Sequence, residues 1–242
     1  MTAVRRRLAA SALPLLLLLL LACAPQAVQE PGGDDYAAAR ARMVDRQIEA
    51  RGIGDPRVLD AMRRVPRERF VPVLYRGSAY ADHPLSIGYE QTISQPYIVA
   101  WMTEALQVKG SSRVLEVGTG SGYQAAVLAE IAREVFTIEI VEPLAKSARE
   151  TLASLGYRNV HVRQGDGYLG WPERAPFDGI MVTAAPDHVP QPLIDQLAIG
   201  GRLVIPVGRQ DGMQFMTVIT KTESGITKEE TLPVRFVPLV RP

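Results

Sequence analysis

Cysteine and histidine are scarce in this chain of 242 residues, which holds one Cys and three His. The single cysteine, Cys23, lies near the N-terminus, so the rest of the chain offers no disulfide framework, no cysteine-ligated zinc site and no cysteine nucleophile. The histidines, His83, His161 and His188, are widely separated in the sequence, which disfavours a His-rich metal site. We therefore expect a protein without a bound metal ion.

An excess of charge of either sign is also lacking. Residues 43–242 carry 22 Lys and Arg against 23 Asp and Glu. Proteins that bind DNA or RNA usually present a basic surface to the phosphates, so this balance predicts no nucleic-acid partner. With 47% hydrophobic and 22% charged residues, the chain has the composition of an ordinary globular protein.

One long apolar run is present, and it lies at the N-terminus. Seven leucines at positions 15–21 follow three arginines at positions 5–7 and precede Cys23, which is the layout of a secretory signal. The run is shorter than the roughly 20 residues of a membrane-spanning helix. We predict a signal-like leader over residues 1–24, a linker over residues 25–42 and a globular domain over residues 43–242.

The N-terminal residues allow three interpretations. Residues 20–23, Leu-Leu-Ala-Cys, resemble a bacterial lipobox, in which Cys23 is lipidated and anchors the chain to the membrane. Cleavage after Ala24 would export the chain without an anchor. Met43 is the third alternative, because the globular pattern begins there and a chain starting at Met43 carries no signal.

Apolar segments of strand and helix length alternate regularly beyond Val99. Repeated β-α-β units with apolar strands predict a parallel sheet covered by helices on both faces. Residues 213–222 and 226–240 have no helix between them and predict a terminal antiparallel pair. We also expect a long loop over residues 80–97 and a helix over residues 189–201. The predicted fold class is α/β and Rossmann-like, with a mostly parallel, doubly wound sheet.

The segment ahead of this alternation is helical and basic. Residues 36–62 have the apolar spacing of helices, which Gly52, Gly54 and Pro56 divide into two pieces. We interpret the arginines that follow as a solvated helical face, with a substrate-attracting surface as the alternative. These arginines lie at positions 57, 63, 64, 67 and 69.

The strongest motif is VLEVGTGSGYQAAVLAE, residues 114–130, where Gly118, Gly120 and Gly122 join a strand to a helix. Glycines at such a turn let the backbone bend sharply and approach a ligand. The dinucleotide fingerprint GxGxxG requires glycine at position 123, and this chain has Tyr123. A ligand without phosphates therefore fits this turn better than a dinucleotide.

Acidic residues accompany the strands around this turn. Glu139, 21 residues after Gly118, lies at the end of the next strand, where a carboxylate accepts hydrogen bonds from both hydroxyls of a ribose. Glu116, on the strand before the turn, is a candidate for orienting a cationic ligand. At the end of the third strand, Asp166 would accept a hydrogen bond from an adenine amino group, and Gly167 would let the ring approach the backbone.

Together these features resemble the class I S-adenosylmethionine-dependent methyltransferases, which implies S-adenosyl-L-methionine as the cofactor. After the fourth strand the chain reads TAAP, residues 183–186. The enzymes of this fold that methylate amino groups of nucleic acids carry Asn or Asp before Pro-Pro at that place. The difference again disfavours DNA or RNA as a substrate.

A narrower resemblance covers residues 43–240. The segments HPLSIGYEQTISQPYIVAWM, FDGIMVTAAPDHVPQPLIDQLAIGGRLVIPVG and VRFVPLV, in this order around the glycine motif, are similar to the protein-L-isoaspartate O-methyltransferase family. TISQPY is the specific part, because general methyltransferases lack it. The resemblance implies methyl transfer to the free carboxylate of L-isoaspartyl and D-aspartyl residues in damaged proteins and peptides. The ester then closes to a succinimide, which starts repair.

The resemblance also implies roles for individual residues. Ser94 is assigned to catalysis, and Ser94 with Val234, Arg235 and Phe236 contacts the isoaspartyl peptide. The residues implied in cofactor binding are Gln91, Thr92, Ile93, Glu116, Gly118, Gly120, Gly122, Glu139, Asp166 and Gly167.

The TISQPY loop leaves two questions open. Glu90 stands where many relatives have glycine, which leaves the shape of the loop undetermined. From the residues alone, Thr92 or Ser94 ahead of Pro96 would also serve as a helix cap. Ser94 need not be a nucleophile, because a carboxylate with a pKa near 4 is already ionised at neutral pH and needs no general base. Catalysis would then depend on positioning and on exclusion of water.

Two other functions stay open at this point: a non-catalytic, exported binding protein on the same fold, and a methyltransferase with a small-molecule acceptor. We expect a monomer in the cytoplasm, because S-adenosylmethionine is made there. The leader favours instead the periplasm, or a membrane-anchored lipoprotein through Cys23.

Overall fold

The computed structural model describes residues 33–241. The predicted leader with Cys23, and residues 25–32 of the predicted linker, lie outside the described residues, so the alternatives for signal, anchor and start site stay predictions. Within residues 33–241, no helix is long and apolar enough to cross a membrane.

The segment of helical apolar spacing, residues 36–62, forms two helices in the structure, as predicted. α1 (Gly33–Met43) continues through a short π-helical stretch, Val44–Ile48, and a 3-10 turn toward α2 (Pro56–Arg64). The Asp55 side chain caps α2 by accepting a hydrogen bond from the Arg57 backbone N–H at 2.9 Å, and proline occupies the first helical position.

α1 covers the end of the segment assigned to the linker, residues 25–42, where the helical spacing predicted from residue 36 begins. It begins before residue 43, and Arg40 Nε donates a hydrogen bond to the Arg63 carbonyl oxygen at 2.7 Å. Tyr36 and Ala39 also pack against the hydrophobic core. Residues ahead of Met43 therefore contact the globular domain directly.

The segment predicted as a loop, residues 80–97, contains an antiparallel hairpin of β1 (Leu85–Gly88) and β2 (Gln91–Ile93). Strands this short show too few alternations to be recognised from the sequence. Glu90 lies in the tight connection with φ of 59°, a left-handed conformation that glycine adopts most easily. Glutamate therefore adopts here a backbone conformation that glycine usually supplies.

Within the described residues, the main sheet has seven strands, β3 (Arg113–Val117), β4 (Glu134–Glu139), β5 (Val160–Gln164), β6 (Phe177–Val182), β7 (Leu197–Val207), β8 (Gln214–Thr222) and β9 (Gly225–Val234). Their spatial order is β5-β4-β3-β6-β7-β8-β9. Strands β3 to β7 are parallel, whereas β8 pairs antiparallel with both β7 and β9. The predicted mostly parallel sheet with a C-terminal antiparallel pair is confirmed.

Hydrophobic cores lie on both faces of this sheet. In β3, Val114 belongs to one buried cluster and Leu115 to the other, as expected for alternating side chains of a strand covered on both sides. The helices are α3 (Pro96–Leu106), α4 (Tyr123–Ala129), α5 (Glu142–Ser154) and α6 (Gln191–Asp195).

The helix predicted over residues 189–201 is much shorter in the structure. α6 ends at Asp195, and residues 197–201 already belong to β7. The Lys221 ammonium group, on β8, donates hydrogen bonds to the carbonyl oxygens of Ile194, Asp195 and Leu197 at 2.8–3.0 Å. These bonds satisfy the carbonyls at the helix end, an interaction from a distant strand that local spacing does not reveal.

The last predicted strand, residues 226–240, ends in the structure at Val234. Residues 235–241, here called the C-terminal strap, leave β9 and cross the carboxyl edge of the sheet. The Ala185 N–H donates to the Val237 carbonyl at 2.8 Å, and the Leu239 N–H donates to the Ala185 carbonyl at 3.0 Å. The strap therefore covers the edge at which parallel α/β sheets bind ligands.

Candidate active site

Two adjoining cavities lie at the carboxyl ends of the parallel strands, beneath the hairpin and the strap. The inner cavity is lined by Gly118, Gly120 and Glu139 at the ends of β3 and β4, and by strap residues 237–240. The outer cavity is lined by Ser94 after the hairpin and by residues 233–238. The fold thus brings together most of the residues that the sequence analysis selected.

A third, narrow cavity shares residues with the other two. Ser94 lines both the narrow and the outer cavities, and Gly118 lines both the narrow and the inner cavities. Thr92 and Thr183 line all three. These two threonines mark the place where the inner and outer cavities meet.

The glycine turn has the backbone conformation that its sequence predicts. Gly118, Gly120 and Gly122 have φ of 98°, 52° and 89°, a region in which a side chain is strained. A Cβ on Gly118 would clash with Thr183 Oγ1. Gly122 lines none of the three cavities and packs at the start of α4 against Leu152, so it serves helix packing.

Glu139 lies at the inner cavity and also supports the glycine turn. Its carboxylate accepts hydrogen bonds from the Gly120 N–H at 2.7 Å and from the Val141 N–H at 2.9 Å. An ionised carboxylate has about four acceptor positions, so two remain for the hydroxyls of a ribose. Backbone hydrogen bonds therefore fix the Glu139 carboxylate at the position predicted for a ribose-binding acid.

Glu116 differs from its predicted role, because it lines none of the three cavities. Its side chain is fully buried and accepts a hydrogen bond from Thr137 Oγ1, while Oε1 has no partner. Burial, assisted by the nearby Glu139 charge, raises the pKa of the Glu116 carboxyl to about 8, against the opposing effect of the Thr137 hydrogen bond. A neutral, enclosed carboxyl is poorly placed to orient a cationic ligand.

Asp166 and Gly167 follow β5, and only Gly167 lines the inner cavity. A Cβ on Gly167 would clash with Val117 Cγ1, so glycine is required for this close approach. Asp166 accepts a hydrogen bond from the Tyr168 N–H at 2.9 Å, and Arg241 of the strap lies 3.8 Å from its carboxylate. Asp166 therefore stands beside the cavity, with one oxygen engaged by the strap.

The hairpin carries the other residues that the resemblance implies. Gln91 and Thr92 line the inner cavity, and Ile93 is buried at the narrow one. The alternative that Thr92 or Ser94 caps α3 is wrong, because Gln95 occupies the cap position and no side chain makes a capping bond. Ser94 instead lines the outer and narrow cavities.

The strap and the end of β9 form the other wall of the outer cavity, with Val234, Arg235 and Phe236. The Gln214 side chain accepts a hydrogen bond from the Phe236 N–H at 2.7 Å, which holds this wall. Among the described residues lining this cavity, Arg235 is the only charged one, and it is exposed to solvent.

The family comparison decides between the open alternatives. The sequence model described as Protein-L-isoaspartate(D-aspartate) O-methyltransferase (PCMT) matches residues 38–242. The chain belongs to the protein-L-isoaspartate O-methyltransferase family. The family recognised from TISQPY and VRFVPLV is therefore confirmed.

Relatives in this family share more than half of the sequence. The protein-L-isoaspartate O-methyltransferase of Gloeobacter violaceus is 61% identical over 199 residues, which are 82% of this chain and 97% of that protein. The protein of the same name from Picosynechococcus sp. is 60% identical over 206 residues, covering 85% of this chain and 92% of that one.

Solved structures agree with the fold. One protein-L-isoaspartate O-methyltransferase has a TM-score of 0.74 at 30% identity, and the match covers 82% of this chain and 65% of that longer one. A Plasmodium falciparum protein of that family, solved with S-adenosyl-L-homocysteine, has a TM-score of 0.72 at 28% identity, covering 84% and 99% of the two chains. The predicted class I methyltransferase fold and the predicted enzyme class are confirmed.

One residue that holds this methyltransferase site was not recognised from the sequence. Arg67, interpreted as part of a solvated face, is fully buried. Its guanidinium donates hydrogen bonds to the carbonyl oxygens of Ala79 and Ser94, each at 2.7 Å, and lies 4.7 Å from the centre of the Tyr123 ring. The only signal available was its place among arginines, and that pattern does not distinguish a buried member.

Proposed function

We propose that the inner cavity binds S-adenosyl-L-methionine and that the outer cavity binds an isoaspartyl peptide. The protein then transfers a methyl group to the free carboxylate of L-isoaspartyl, and also D-aspartyl, residues in damaged proteins. The observation that carries this proposal is the meeting of the two cavities at Thr92 and Thr183, in a member of this methyltransferase family.

The inner cavity fits the cofactor. Glu139 keeps acceptor positions for the ribose hydroxyls, and Gly167 brings the backbone after β5 to the lining of the cavity, packed closely against Val117. Glu139 is also the only charged residue among the described residues lining this cavity, which suits a ligand with a positive sulfonium group. The cofactor of this methyltransferase family is the one that the sequence analysis predicts.

The outer cavity fits an anionic acceptor. When bound, S-adenosylmethionine supplies the sulfonium methyl group that the carboxylate accepts. Arg235 supplies a positive charge, and the Ser94 hydroxyl can donate a hydrogen bond to one carboxylate oxygen, which orients the other. No Asp, Glu or His is among the described residues lining this cavity, and an ionised carboxylate requires no base.

Two variants separate the roles of the cavities. We expect Ser94→Ala to lower transfer to an isoaspartyl peptide by roughly tenfold or more while cofactor binding persists, as for loss of a hydrogen bond to a charged group. Glu139→Ala should instead weaken cofactor binding itself. Transfer of a labelled methyl group measures the activity, and equilibrium dialysis measures the affinity for the cofactor. Unchanged transfer in Ser94→Ala, or unchanged cofactor affinity in Glu139→Ala, contradicts the assignment.

The compartment and the oligomeric state belong to this proposal as well. We propose a cytoplasmic monomer, since the cytoplasm supplies the cofactor. Export or lipidation at Cys23 is the competing alternative, which the leader residues favour. The mass of the N-terminal peptide of the natural protein decides: a start near Met43 supports the cytoplasm, and a lipidated Cys23 or a start after Ala24 contradicts it.

A further inference from the structure

We propose that Thr183 is a further catalytic residue, whose hydroxyl oxygen contacts the methyl group of bound S-adenosylmethionine and holds it toward the outer cavity. The inference rests on the proposed function, because it requires the cofactor in the inner cavity and the acceptor in the outer one.

The place of Thr183 is set by the main sheet. Thr183 directly follows β6, and its backbone N–H donates to the Val117 carbonyl at 2.9 Å, which continues the pairing of β3 with β6. Thr183 is half-buried and lines the inner, outer and narrow cavities. Thr92, the other residue common to all three, belongs to the hairpin and is exposed. Thr183 therefore lies, with Thr92, Val237 and Pro238, where the inner and outer cavities adjoin, and it is the one of these that extends the main sheet directly after β6.

The hydroxyl proton of Thr183 is engaged by the backbone carbonyl oxygens of the glycine turn. Oγ1 lies 2.7 Å from the Gly118 carbonyl oxygen and 3.1 Å from the Val117 carbonyl oxygen. A carbonyl only accepts, so Thr183 donates its single hydroxyl proton to this pair and keeps its lone pairs. Glycine at position 118 permits the approach, since a Cβ there would clash with Oγ1. An acceptor oxygen thus remains at the junction of the cavities.

An acceptor at this place suits a sulfonium methyl group. The positive charge on sulfur polarises the C–H bonds of the methyl group, so these bonds form weak C–H···O contacts with a nearby acceptor oxygen. In the transfer, the bond between sulfur and the methyl carbon breaks and sulfur keeps the electron pair. A new bond forms between that carbon and the substrate carboxylate oxygen, and no proton leaves Thr183. The sulfur of the product S-adenosylhomocysteine carries neither the positive charge nor the methyl group, so this contact favours the donor over the product.

The test compares Thr183→Ala with Thr183→Ser, which differ only in the hydroxyl group. Dissociation constants of S-adenosylmethionine and S-adenosylhomocysteine are measured by calorimetry for both variants and the wild type. We expect the alanine variant to lose about two- to fivefold in its relative preference for S-adenosylmethionine, and the serine variant to retain it. Equal weakening of both ligands, or an unchanged ratio, would overturn the proposal and leave Thr183 only as a support of the glycine turn.

A second measurement uses only the wild type, so it tests the proposal even if the alanine variant fails to fold. The methyl proton resonance of ¹³C-methyl S-adenosylmethionine bound to the wild type should lie downfield of the free ligand, as expected for a C–H···O contact. An unchanged or upfield position contradicts the inference. Failure of the proposed function is distinguishable, because the wild type would then bind no cofactor or methylate no isoaspartyl peptide.

Discussion

At the scale of single residues, the surroundings of a carboxyl group decide what it can do. Glu116 and Glu139 lie on adjacent strands of one sheet, and both are buried. Glu139 accepts two backbone hydrogen bonds and faces the inner cavity, whereas Glu116 is enclosed with one oxygen unpartnered. Desolvation is the main cause of the raised pKa of Glu116, and the sequence alone does not show that this carboxyl is enclosed.

The raised pKa of Glu116 makes stability depend on pH. In the unfolded chain this carboxyl ionises near its ordinary value of 4.5, whereas in the folded protein it keeps its proton up to about pH 8. Between these values the unfolded state binds fewer protons than the folded state, so stability falls as pH rises through that window. We expect Glu116→Gln, which is always neutral, to match the wild type near pH 4.5 and to exceed it at pH 8.5 by on the order of a few kcal/mol.

Urea unfolding at the two pH values checks this expectation, with Glu150→Gln as the control because Glu150 is exposed on α5. The control should behave like the wild type at both values. If the difference between Glu116→Gln and the wild type is the same at both pH values, the buried neutral carboxyl is contradicted.

Arg235 is expected to act through its charge. Arg235→Gln should raise the KM for an isoaspartyl peptide by a few-fold and leave cofactor affinity unchanged, as for an exposed ion pair of about 0.2–1 kcal/mol. The wild-type KM should also rise with salt more steeply than that of the variant. Arg209→Gln is the matched control, since Arg209 is exposed, pairs with Asp211 and lines none of the three cavities. Equal effects of the two substitutions would count against a contact between Arg235 and the acceptor.

At the scale of elements, long regular segments are predictable from the sequence. Very short strands, and helix ends that depend on a side chain from a distant strand, are not. The strand and helix around Gly118 follow from apolar spacing and a turn that only glycine makes without strain. The hairpin strands are too short to show a period, and the end of α6 depends on Lys221 from β8. Family resemblance located Ser94, but the buried Arg67 that holds it comes from a segment whose spacing indicated a solvated face.

The hydrogen bond from Arg67 to the Ser94 carbonyl oxygen predicts that this buried arginine positions the segment that carries Ser94. Arg67→Met keeps much of the side-chain volume and removes the donors to Ser94 and Ala79. We expect kcat with an isoaspartyl peptide to fall by roughly tenfold, since a buried carbonyl loses its charged donor, while cofactor affinity stays within a factor of two. Arg67→Lys, which keeps a donor, should recover part of the loss.

Steady-state kinetics and cofactor dialysis on both variants separate positioning from general damage. A parallel loss of cofactor affinity and kcat would mean that Arg67 supports the whole domain. Unchanged kcat in Arg67→Met would remove it from the positioning of Ser94.

At the scale of the whole molecule, the fold joins distant parts of the chain into two cavities of complementary charge. The hairpin and the strap are far apart in the sequence, and they meet over the carboxyl edge of the sheet. Glu139 alone supplies charge to the lining of the inner cavity, and Arg235 alone to that of the outer one, within the part of the chain that the structure describes. This distribution of charge suits a cationic donor in the inner cavity and an anionic acceptor in the outer one.

The most direct measurement uses two peptides that are identical except for one linkage, which is aspartyl in one and isoaspartyl in the other. Both are incubated with the protein and S-adenosylmethionine and followed by mass spectrometry and chromatography. We expect only the isoaspartyl peptide to gain one methyl group, and the ester to convert through succinimide partly into the normal aspartyl peptide. Methylation of both peptides alike, or of neither by protein that binds the cofactor, would contradict isoaspartyl methyl transfer as the function of this fold.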